Sequence, residues 1–149
     1  MTSMSNLDFE ARCRTSFAKQ QFMSTLGAVL VRLAPGEVII ELPFSSQLTQ
    51  QHGFLHAGAV ASIADSACGY AALSLMPQDV AVLTVEYKVN LLKPAVGMRF
   101  RATGKVIKAG RTLSVCSGSV EAQDGTQWSL IALMQATMMA VPDRDGLKD

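Results

Sequence analysis

One aspartate in an apolar, alanine-rich stretch is the residue best placed to do chemistry. Asp65 is the only charged residue between positions 57 and 73, and no Lys or Arg lies between Arg32 and Lys88 to neutralise it. A carboxylate taken out of water ionises reluctantly and is a stronger base once ionised. Asp65 is therefore a candidate general base or nucleophile. The alternative is a structural carboxylate held by backbone amides or by Ser62 and Ser66.

The segment His56-Ala57-Gly58 marks the point where a polar loop becomes this apolar helix. The first N–H groups of a helix have no internal partner, and the macrodipole adds positive potential there. Ala57 and Gly58 are small, so a ligand can approach their amides closely. The spacing therefore predicts an oxyanion-binding site at the helix start.

The separation of these two features predicts a site shared between subunits. Asp65 lies nine residues after His56, which places it roughly 12 Å along the helix axis from the helix start. That is too far for both to act on one carbonyl carbon, whereas two antiparallel copies of the helix across a two-fold axis bring them together. The composition, with 17% charged and 49% hydrophobic residues, also favours a homo-oligomer, a dimer or a tetramer of two dimers.

The surrounding pattern predicts one α+β domain over residues 1–149, with a six-stranded antiparallel sheet curled around a single apolar helix. The last strand is apolar on both faces, which predicts a central or interface position. In strand 80–91, alternation places Leu83, Val85 and Tyr87 on one face and Thr84 on the other. The predicted elements are an outer helix at about 6–22 capped by Ser5 or Asn6, a hairpin at 26–33 and 37–42, the apolar helix at about 57–76, strands at 80–91, 99–108, 111–122 and 126–141, and a polar tail at about 142–149.

The cysteine and histidine content argues against a metal centre. Three widely spaced cysteines and two histidines match no zinc pattern, so we expect no metal and no organic cofactor. The first residues lack the apolar run of a signal peptide, which favours reduced thiols and a cytoplasmic location. No apolar run approaches membrane-spanning length, and we expect neither a membrane nor a nucleic-acid partner.

A basic stretch lies between Glu86 and Glu121, where no acid occurs. Seven positive charges without a counter-charge in sequence could hold phosphate groups. The alternative is a solvated sheet face balanced by acids elsewhere in the fold. The seven residues are Lys88, Lys93, Arg99, Arg101, Lys105, Lys108 and Arg111.

The motif His56-Ala57-Gly58 followed by Asp65 resembles the His-Gly-Gly…Asp signature of hotdog-fold acyl-CoA thioesterases. The most similar type is the phenylacetate-pathway group within the 4-hydroxybenzoyl-CoA thioesterase superfamily. The likeness runs from about Gln50 to Met139 and includes the strand at 84–95 and the turn at 109–112. It implies a hotdog fold, an acyl-CoA substrate, and hydrolysis of the thioester to a free acid and CoA.

The resemblance also implies a role for each matching residue. Asp65 would be the nucleophile or the general base, and the Ala57 amide, helped by Gly58, would polarise the carbonyl. His56 would hold the loop and position the thioester, while Thr84 would orient the attacking water. Gln50 stands where many relatives carry Asn, beside the oxyanion site. Separately from the resemblance, the basic stretch leads us to expect that its strands hold the CoA phosphates, through Lys93, Arg99 and Arg111.

Two departures from the family pattern concern the oxyanion site. Ala57 replaces the first glycine of the signature, which leaves the backbone amide in place unless the position needs a positive φ. Gln50 is one methylene longer than the family's Asn. Three other functions stay open: a non-catalytic acyl-CoA-binding module, a hydratase or dehydratase, for which no Asp-x-Asn-x-x-His pattern is found, and an interaction protein. The sequence leaves the acyl group undetermined.

Overall fold

The computed structural model describes residues 6–142 and residue 147, with side chains from residue 9 onward. It has three α-helices, a short 3-10 turn at Ser46–Leu48 and six β-strands in this part of the chain. The helices are α1 (Asn6–Lys19), α2 (Gln21–Leu26) and α3 (Ala57–Leu73). The strands are β1 (Val29–Ala34), β2 (Glu37–Pro43), β3 (Val80–Leu91), β4 (Arg99–Ala109), β5 (Leu113–Asp124) and β6 (Gln127–Pro142).

The six strands form one antiparallel sheet in the order β1-β2-β4-β5-β6-β3. The sheet curls around α3, which packs against every strand from β2 to β6. The predicted α+β architecture of about six strands around one apolar helix is confirmed. The last strand, β6, lies between β5 and β3, so its central position is also confirmed.

Two glycines on neighbouring strands determine how closely α3 approaches the sheet. Gly104 of β4 lies opposite Gly118 of β5. A Cβ atom on Gly104 would lie 2.3 Å from the backbone carbon of Ala67, and one on Gly118 would lie 3.1 Å from the Sγ of Cys68. The helix therefore rests on the bare backbone of the sheet just after Asp65, which fixes the position of that residue.

The N-terminal helix differs from the sequence prediction of one segment at about 6–22. The chain forms two helices, because Gln20 between them adopts an extended conformation (φ −73°, ψ 99°). The second helix ends at Gly27, whose positive φ of 79° closes it, so the predicted strand at 26–33 begins only at Val29. The predicted cap Ser5 lies outside the described residues.

Helix α3 is shorter and less completely buried than predicted. It ends at Leu73 rather than about residue 76. At the next position the Oγ of Ser74 donates to the carbonyl of Ala71 and accepts the N–H of Gly36 (2.7 and 2.8 Å). A stripe of half-buried residues runs along one face: Ser62, Asp65, Ser66 and Gly69. This side of the helix faces α1, the edge strand β3 and solvent.

The edge strand β3 carries apolar side chains that the monomer leaves exposed. Leu83, Val85 and Tyr87 are each about half exposed, as are Leu91 and Leu92 at its end. The strand is twelve residues long, and an uncovered apolar edge of this length favours pairing with another chain. Among the described residues, no helix has both the length and the apolar character needed to cross a membrane.

Only two residues of the predicted polar tail at 142–149 are among those that the structure describes. Pro142 ends β6, and Leu147 is exposed. The remaining residues of that prediction lie outside the described part of the chain.

Candidate functional site

The start of α3 is capped by a histidine ring. The Nδ1 of His56 accepts the N–H of Gly58 at 2.8 Å, and its backbone is extended at φ −62° and ψ 138°. A ring that accepts through Nδ1 in its neutral form carries its proton on Nε2. The N–H of Ala57 donates no hydrogen bond within the described residues. The unpaired amide of the helix start is thus that of Ala57, while the amide of Gly58 is already engaged.

The loop before α3 is held by its own backbone and by one glutamine. A bridge joins Thr49 to Leu55, and the N–H of His56 donates to the carbonyl of Leu48 at 2.8 Å. The Oε1 of Gln50 accepts the N–H of Phe54 at 3.4 Å and also that of His52. These contacts hold Gln50 beside the first turn of α3.

A cavity of about 450 Å³ opens at this helix start. Ala57, Gln50 and Lys93 bring polar groups to it. Its other walls are apolar, from Phe54, Leu55, Val60, Leu91, Leu92, Pro94, Ala95 and Ile131. The cavity therefore combines an unpaired amide, an amide side chain and a positive charge with apolar walls.

Asp65 is half buried in the third turn of α3, and among the described residues its carboxylate accepts a single side-chain hydrogen bond. The Oγ1 of Thr84 donates to its Oδ1 at 2.8 Å, and the Sδ of Met138 lies 3.4 Å from the same hydroxyl. Burial raises the pKa of Asp65, and the hydrogen bond from Thr84 lowers it by a smaller amount. The serines proposed to satisfy this carboxylate bind elsewhere: Ser62 donates to the carbonyl of Gly58 and Ser66 to Gln20.

A bulge in β3 turns Thr84 toward Asp65. The pairing of β3 with β6 shifts between Thr84 and Glu86, so Val85 is the extra residue on the β3 side. Simple alternation had placed Thr84 on the face away from the apolar residues, where no contact with the helix was expected. The bulge breaks that alternation and brings the hydroxyl to the carboxylate.

Asp65 opens onto a second cavity of about 290 Å³, which has polar walls. Ser66, Gly69 and Tyr70 of α3 line it together with Val82 and Thr84 of β3, and α1 and the residue after it contribute Ser16, Lys19 and Gln20. The contribution of α1 was missed from the sequence. The only signal was the i, i+4 spacing of Ser16 and Gln20, which the predicted helix at about 6–22 would have placed on one face.

A single protomer does not bring the two predicted halves of the site together. The cavity at Ala57 and the cavity at Asp65 share no lining residue. Asp65 follows Ala57 by eight residues within one continuous helix, which is roughly 12 Å.

The basic stretch is partly neutralised by β2. Arg99 and Arg101 both pair with the buried Glu41, the latter at 3.3 Å, and Lys105 pairs with Glu37 at 3.6 Å. For these three the alternative of a balanced sheet face fits better than a phosphate site. Within the described residues, the other four take part in no ion pair: Lys88, Lys93, Lys108 and Arg111.

Lys93 and Arg111 lie at opposite ends of the sheet. Arg111 precedes β5, whose first residue, Leu113, lies level with Leu83 of β3 across β6, while Lys93 follows Leu91 at the far end of β3. Eight residues of strand separate those two levels, which is roughly 27 Å. One protomer therefore does not place both charges around one ligand.

All three cysteines are buried, and Cys68 and Cys116 are unsuited to nucleophilic chemistry. Burial, with a smaller contribution from Cys116 and Asp65, raises the pKa of Cys68, and burial raises that of Cys116 to about 11. The Sγ of Cys116 donates to the carbonyl of Cys68 at 3.7 Å. Both thiols thus pack between helix and sheet. In the part of the chain that is described, no three His, Cys, Asp or Glu side chains gather as metal ligands.

Comparison with known proteins identifies relatives of both sequence and fold. A family model described as the thioesterase superfamily matches residues 52–129. A thioesterase family protein from Silicibacter pomeroyi has a solved structure with 50% sequence identity and a TM-score of 0.90, covering 91% of this chain and 99% of that one. Acyl-coenzyme A thioesterase 13 of Mus musculus is 31% identical over 104 residues, which are 69% of this chain and 72% of the relative. The Escherichia coli PaaI protein from the phenylacetic acid degradation operon shares the fold, with a TM-score of 0.82 at 19% identity, over 91% of this chain and 95% of that one.

Proposed function

This chain belongs to the thioesterase superfamily and has its hotdog fold, and from that membership we propose that it hydrolyses acyl-CoA thioesters. The observation that carries the proposal is Asp65, a half-buried carboxylate that opens onto a cavity and is oriented by Thr84. A buried carboxylate with a raised pKa is a better proton acceptor than one in water. The finer assignment to the phenylacetate-pathway type is part of the proposal and rests on the motif.

The complete site in this proposal is formed by two protomers. Two chains paired antiparallel along the edge strand β3 would place Asp65 of one protomer near the Ala57 amide of the other. The same pairing would cover the exposed side chains of Leu83, Val85 and Tyr87. It would also bring the Arg111 end of one sheet toward the Lys93 end of the other.

The proposed reaction uses Asp65 as a general base. Asp65 takes a proton from water while the water oxygen forms a bond to the thioester carbon. The carbonyl oxygen becomes an oxyanion, which accepts the N–H of Ala57 at the positive end of α3. The tetrahedral intermediate then collapses, the carbon–sulfur bond breaks, and the sulfur leaves with the proton that Asp65 had accepted. The products are the free acid and CoA.

The remaining candidate residues position the substrate in this proposal. Gln50 would bind near the oxyanion, and His56 would hold the first turn of α3 through its bond to Gly58. Lys93 lies beside the Ala57 cavity and would attract a CoA phosphate. Arg111 of the partner subunit would attract a CoA phosphate at the opposite side. Arg99 would attract phosphate more weakly, because Glu41 already neutralises part of its charge. A cytoplasmic location remains a prediction.

The experiment that tests the proposal compares wild type with Asp65→Asn in a thiol-release assay over a broad acyl-CoA panel. We expect a loss of about 10²- to 10⁴-fold in kcat, because Asn accepts the Thr84 hydrogen bond but cannot take a proton. Ser62→Ala on the same helix face is the matched control and should retain turnover. Near-normal hydrolysis by Asp65→Asn would refute the role of Asp65. Tight binding of acyl-CoA without thiol release by the wild type would identify a binding module instead.

Charge reversal tests the proposed CoA site. Lys93→Glu and Arg111→Glu should each raise KM by more than they lower kcat, because phosphate attraction is remote from the reacting carbon. Arg99→Glu should have a smaller effect on KM, because Glu41 already neutralises that charge. Steady-state kinetics at low ionic strength measure these effects, since salt screens exposed charges. An unchanged KM in both Lys93→Glu and Arg111→Glu would contradict this placement.

A further inference from the structure

We propose that the cavity between α1 and α3 receives the acyl group, that Gly69 sets its depth, and that Gln20 selects acyl groups with a polar end. This inference rests on the proposed thioesterase function and names the specificity of that same site. Asp65 of α3 and Thr84 of β3 line this cavity together with Ser16 of α1 and with Tyr70 of α3, whose hydroxyl contacts Ser16. An acyl group whose carbonyl is attacked with the help of Asp65 therefore has this cavity next to its carbonyl carbon.

Gly69 keeps the cavity open one helical turn beyond Asp65. Their separation of four positions corresponds to about 6 Å along the helix axis. A Cβ atom on Gly69 would meet no other heavy atom within 4 Å, so the glycine leaves space into which a side chain would project. Because Gly69 lines the Asp65 cavity, this open space is part of that cavity. A glycine inside a helix lowers the stability of that helix. At position 69 the glycine also leaves the cavity open.

The wall that α1 contributes is a hydrogen-bonded group of side chains. The Nε2 of Gln20 donates to the hydroxyl of Tyr70 at 3.1 Å, and that hydroxyl lies 3.2 Å from the Oγ of Ser16. The Oγ of Ser66 donates to the Oε1 of Gln20 at 3.4 Å. Gln20 is thus held from two sides at the boundary of α1 and α2, with its amide at the cavity.

Such a wall favours an acyl group that ends in a hydroxyl or a carbonyl. The Nε2 of Gln20 carries two N–H groups, and its bond to Tyr70 uses one of them. A hydrocarbon end placed against Gln20 would remove the second N–H from water without offering it an acceptor. The walls of the other cavity, at Ala57, are mainly apolar and carry Lys93, which fits the pantetheine and phosphate part of CoA better. In the shared site, the Asp65 cavity of one protomer therefore receives the acyl group, and the Ala57 cavity of the other receives the pantetheine part of CoA. The thioester lies where the two cavities meet.

The test measures kcat/KM for acetyl-, hexanoyl- and ω-hydroxyhexanoyl-CoA in single variants of the full chain. Gly69→Ala adds one methyl group at the cavity floor and should lower the hexanoyl-to-acetyl ratio by about tenfold or more. Gln20→Leu keeps the side-chain size but removes the amide, and should lower the ω-hydroxyhexanoyl-to-hexanoyl ratio by about tenfold. Neither change should lower the melting temperature enough to unfold the protein, and Gly69→Ala should raise it.

Two matched controls separate this effect from general damage. Val60→Ile adds one methylene group to the same helix in the Ala57 cavity, and Gln21→Leu changes the exposed neighbour of Gln20. Both should leave the two substrate ratios unchanged. Ratios that are unchanged in Gly69→Ala and Gln20→Leu, or a chain-length effect in Val60→Ile instead, would overturn the inference while hydrolysis itself persists. If the wild type released no thiol from any substrate, the proposed function would fail as well.

Discussion

Two effects shift the pKa of Asp65 in opposite directions. The larger one, burial, destabilises the folded protein when the carboxyl group is ionised. Burial raises the pKa above the ordinary value of 3.8, and the hydrogen bond from Thr84 lowers it. Because the folded-state pKa is the higher one, the folded protein binds this proton more tightly than the unfolded chain does. The resulting destabilisation is absent below the unfolded pKa and grows as pH rises through the folded pKa. Asp65→Asn should therefore melt at a higher temperature than wild type at pH 7, and the difference should disappear as the pH falls below the unfolded pKa.

Thr84 provides a prediction at the residue scale. Thr84→Val removes the hydrogen bond that lowers the pKa of Asp65, so the acidic limb of the kcat–pH profile should move to higher pH. The maximal kcat should fall by about tenfold or more, the equivalent of a hydrogen bond to a charged group. Thr84→Ser keeps the hydroxyl and should restore both the profile and the rate. An unshifted profile in Thr84→Val would show that the hydroxyl does not act through Asp65.

At the scale of elements, a single helix carries both chemical features at positions that its own geometry keeps apart. The first turn of α3 provides the Ala57 amide, and the third provides Asp65. The bulge in β3 then adds Thr84 to the second feature, because Val85 interrupts the regular alternation. The distance between the two features is a property of α-helix geometry and cannot be adjusted by local changes in sequence.

The start of α3 allows the amide of Ala57 to be removed without disturbing the helix. Proline is well tolerated at the first helical position, and the extended backbone of His56 suits a residue that precedes proline. Ala57→Pro should therefore fold normally and lose about 10²- to 10³-fold in kcat, the usual effect of deleting an oxyanion donor. Ala57→Gly, which keeps the N–H, should remain close to wild type. Circular dichroism and thiol release measure the two properties, and full activity in Ala57→Pro would exclude this amide.

At the scale of the whole molecule, the exposed apolar edge of β3 and the divided site point to the same arrangement. The edge leaves Leu83, Val85 and Tyr87 in water, and pairing through it would supply each Asp65 with an amide from outside its own chain. The Lys93 and Arg111 ends of the sheet would meet through the same pairing. A single pairing of two copies would thus bring an oxyanion donor to each Asp65. It would also bring Lys93 and Arg111 together and cover the exposed edge strand.

Mixed dimers test this arrangement directly. Asp65→Asn and Ala57→Pro each remove a different half of the shared site, so each homodimer should be nearly inactive. In an equal mixture that exchanges subunits at random, about half of the dimers are mixed, and each has one intact site out of two. The mixture should therefore regain about a quarter of wild-type activity. Thiol release before and after subunit exchange measures this, and a mixture with no more activity than its parents would mean that each site lies within one protomer.

The sequence alone determined the features that depend on local chemistry. Alternation and apolar runs predicted β3 at its observed bounds and the central position of β6, and the isolated charge identified Asp65 as the residue to examine. The capping position of His56 also follows from residues that are adjacent in the chain. These features involve neighbours within a few positions, where propensity and spacing carry the information.

Only the tertiary structure decided what depends on residues distant in sequence. The bond from Thr84 to Asp65 needs a bulge that alternation does not reveal, and the pairing of Arg99 with Glu41 needs two strands laid side by side. The wall formed by Ser16, Gln20 and Tyr70 exists because α1 and the residue after it pack against α3, and its hydrogen bonds join residues that are 50 and 54 positions apart in the sequence. Hydrogen bonds and ion pairs form between atoms a few ångströms apart, and which distant residues meet at that range is set by the packing of the whole fold.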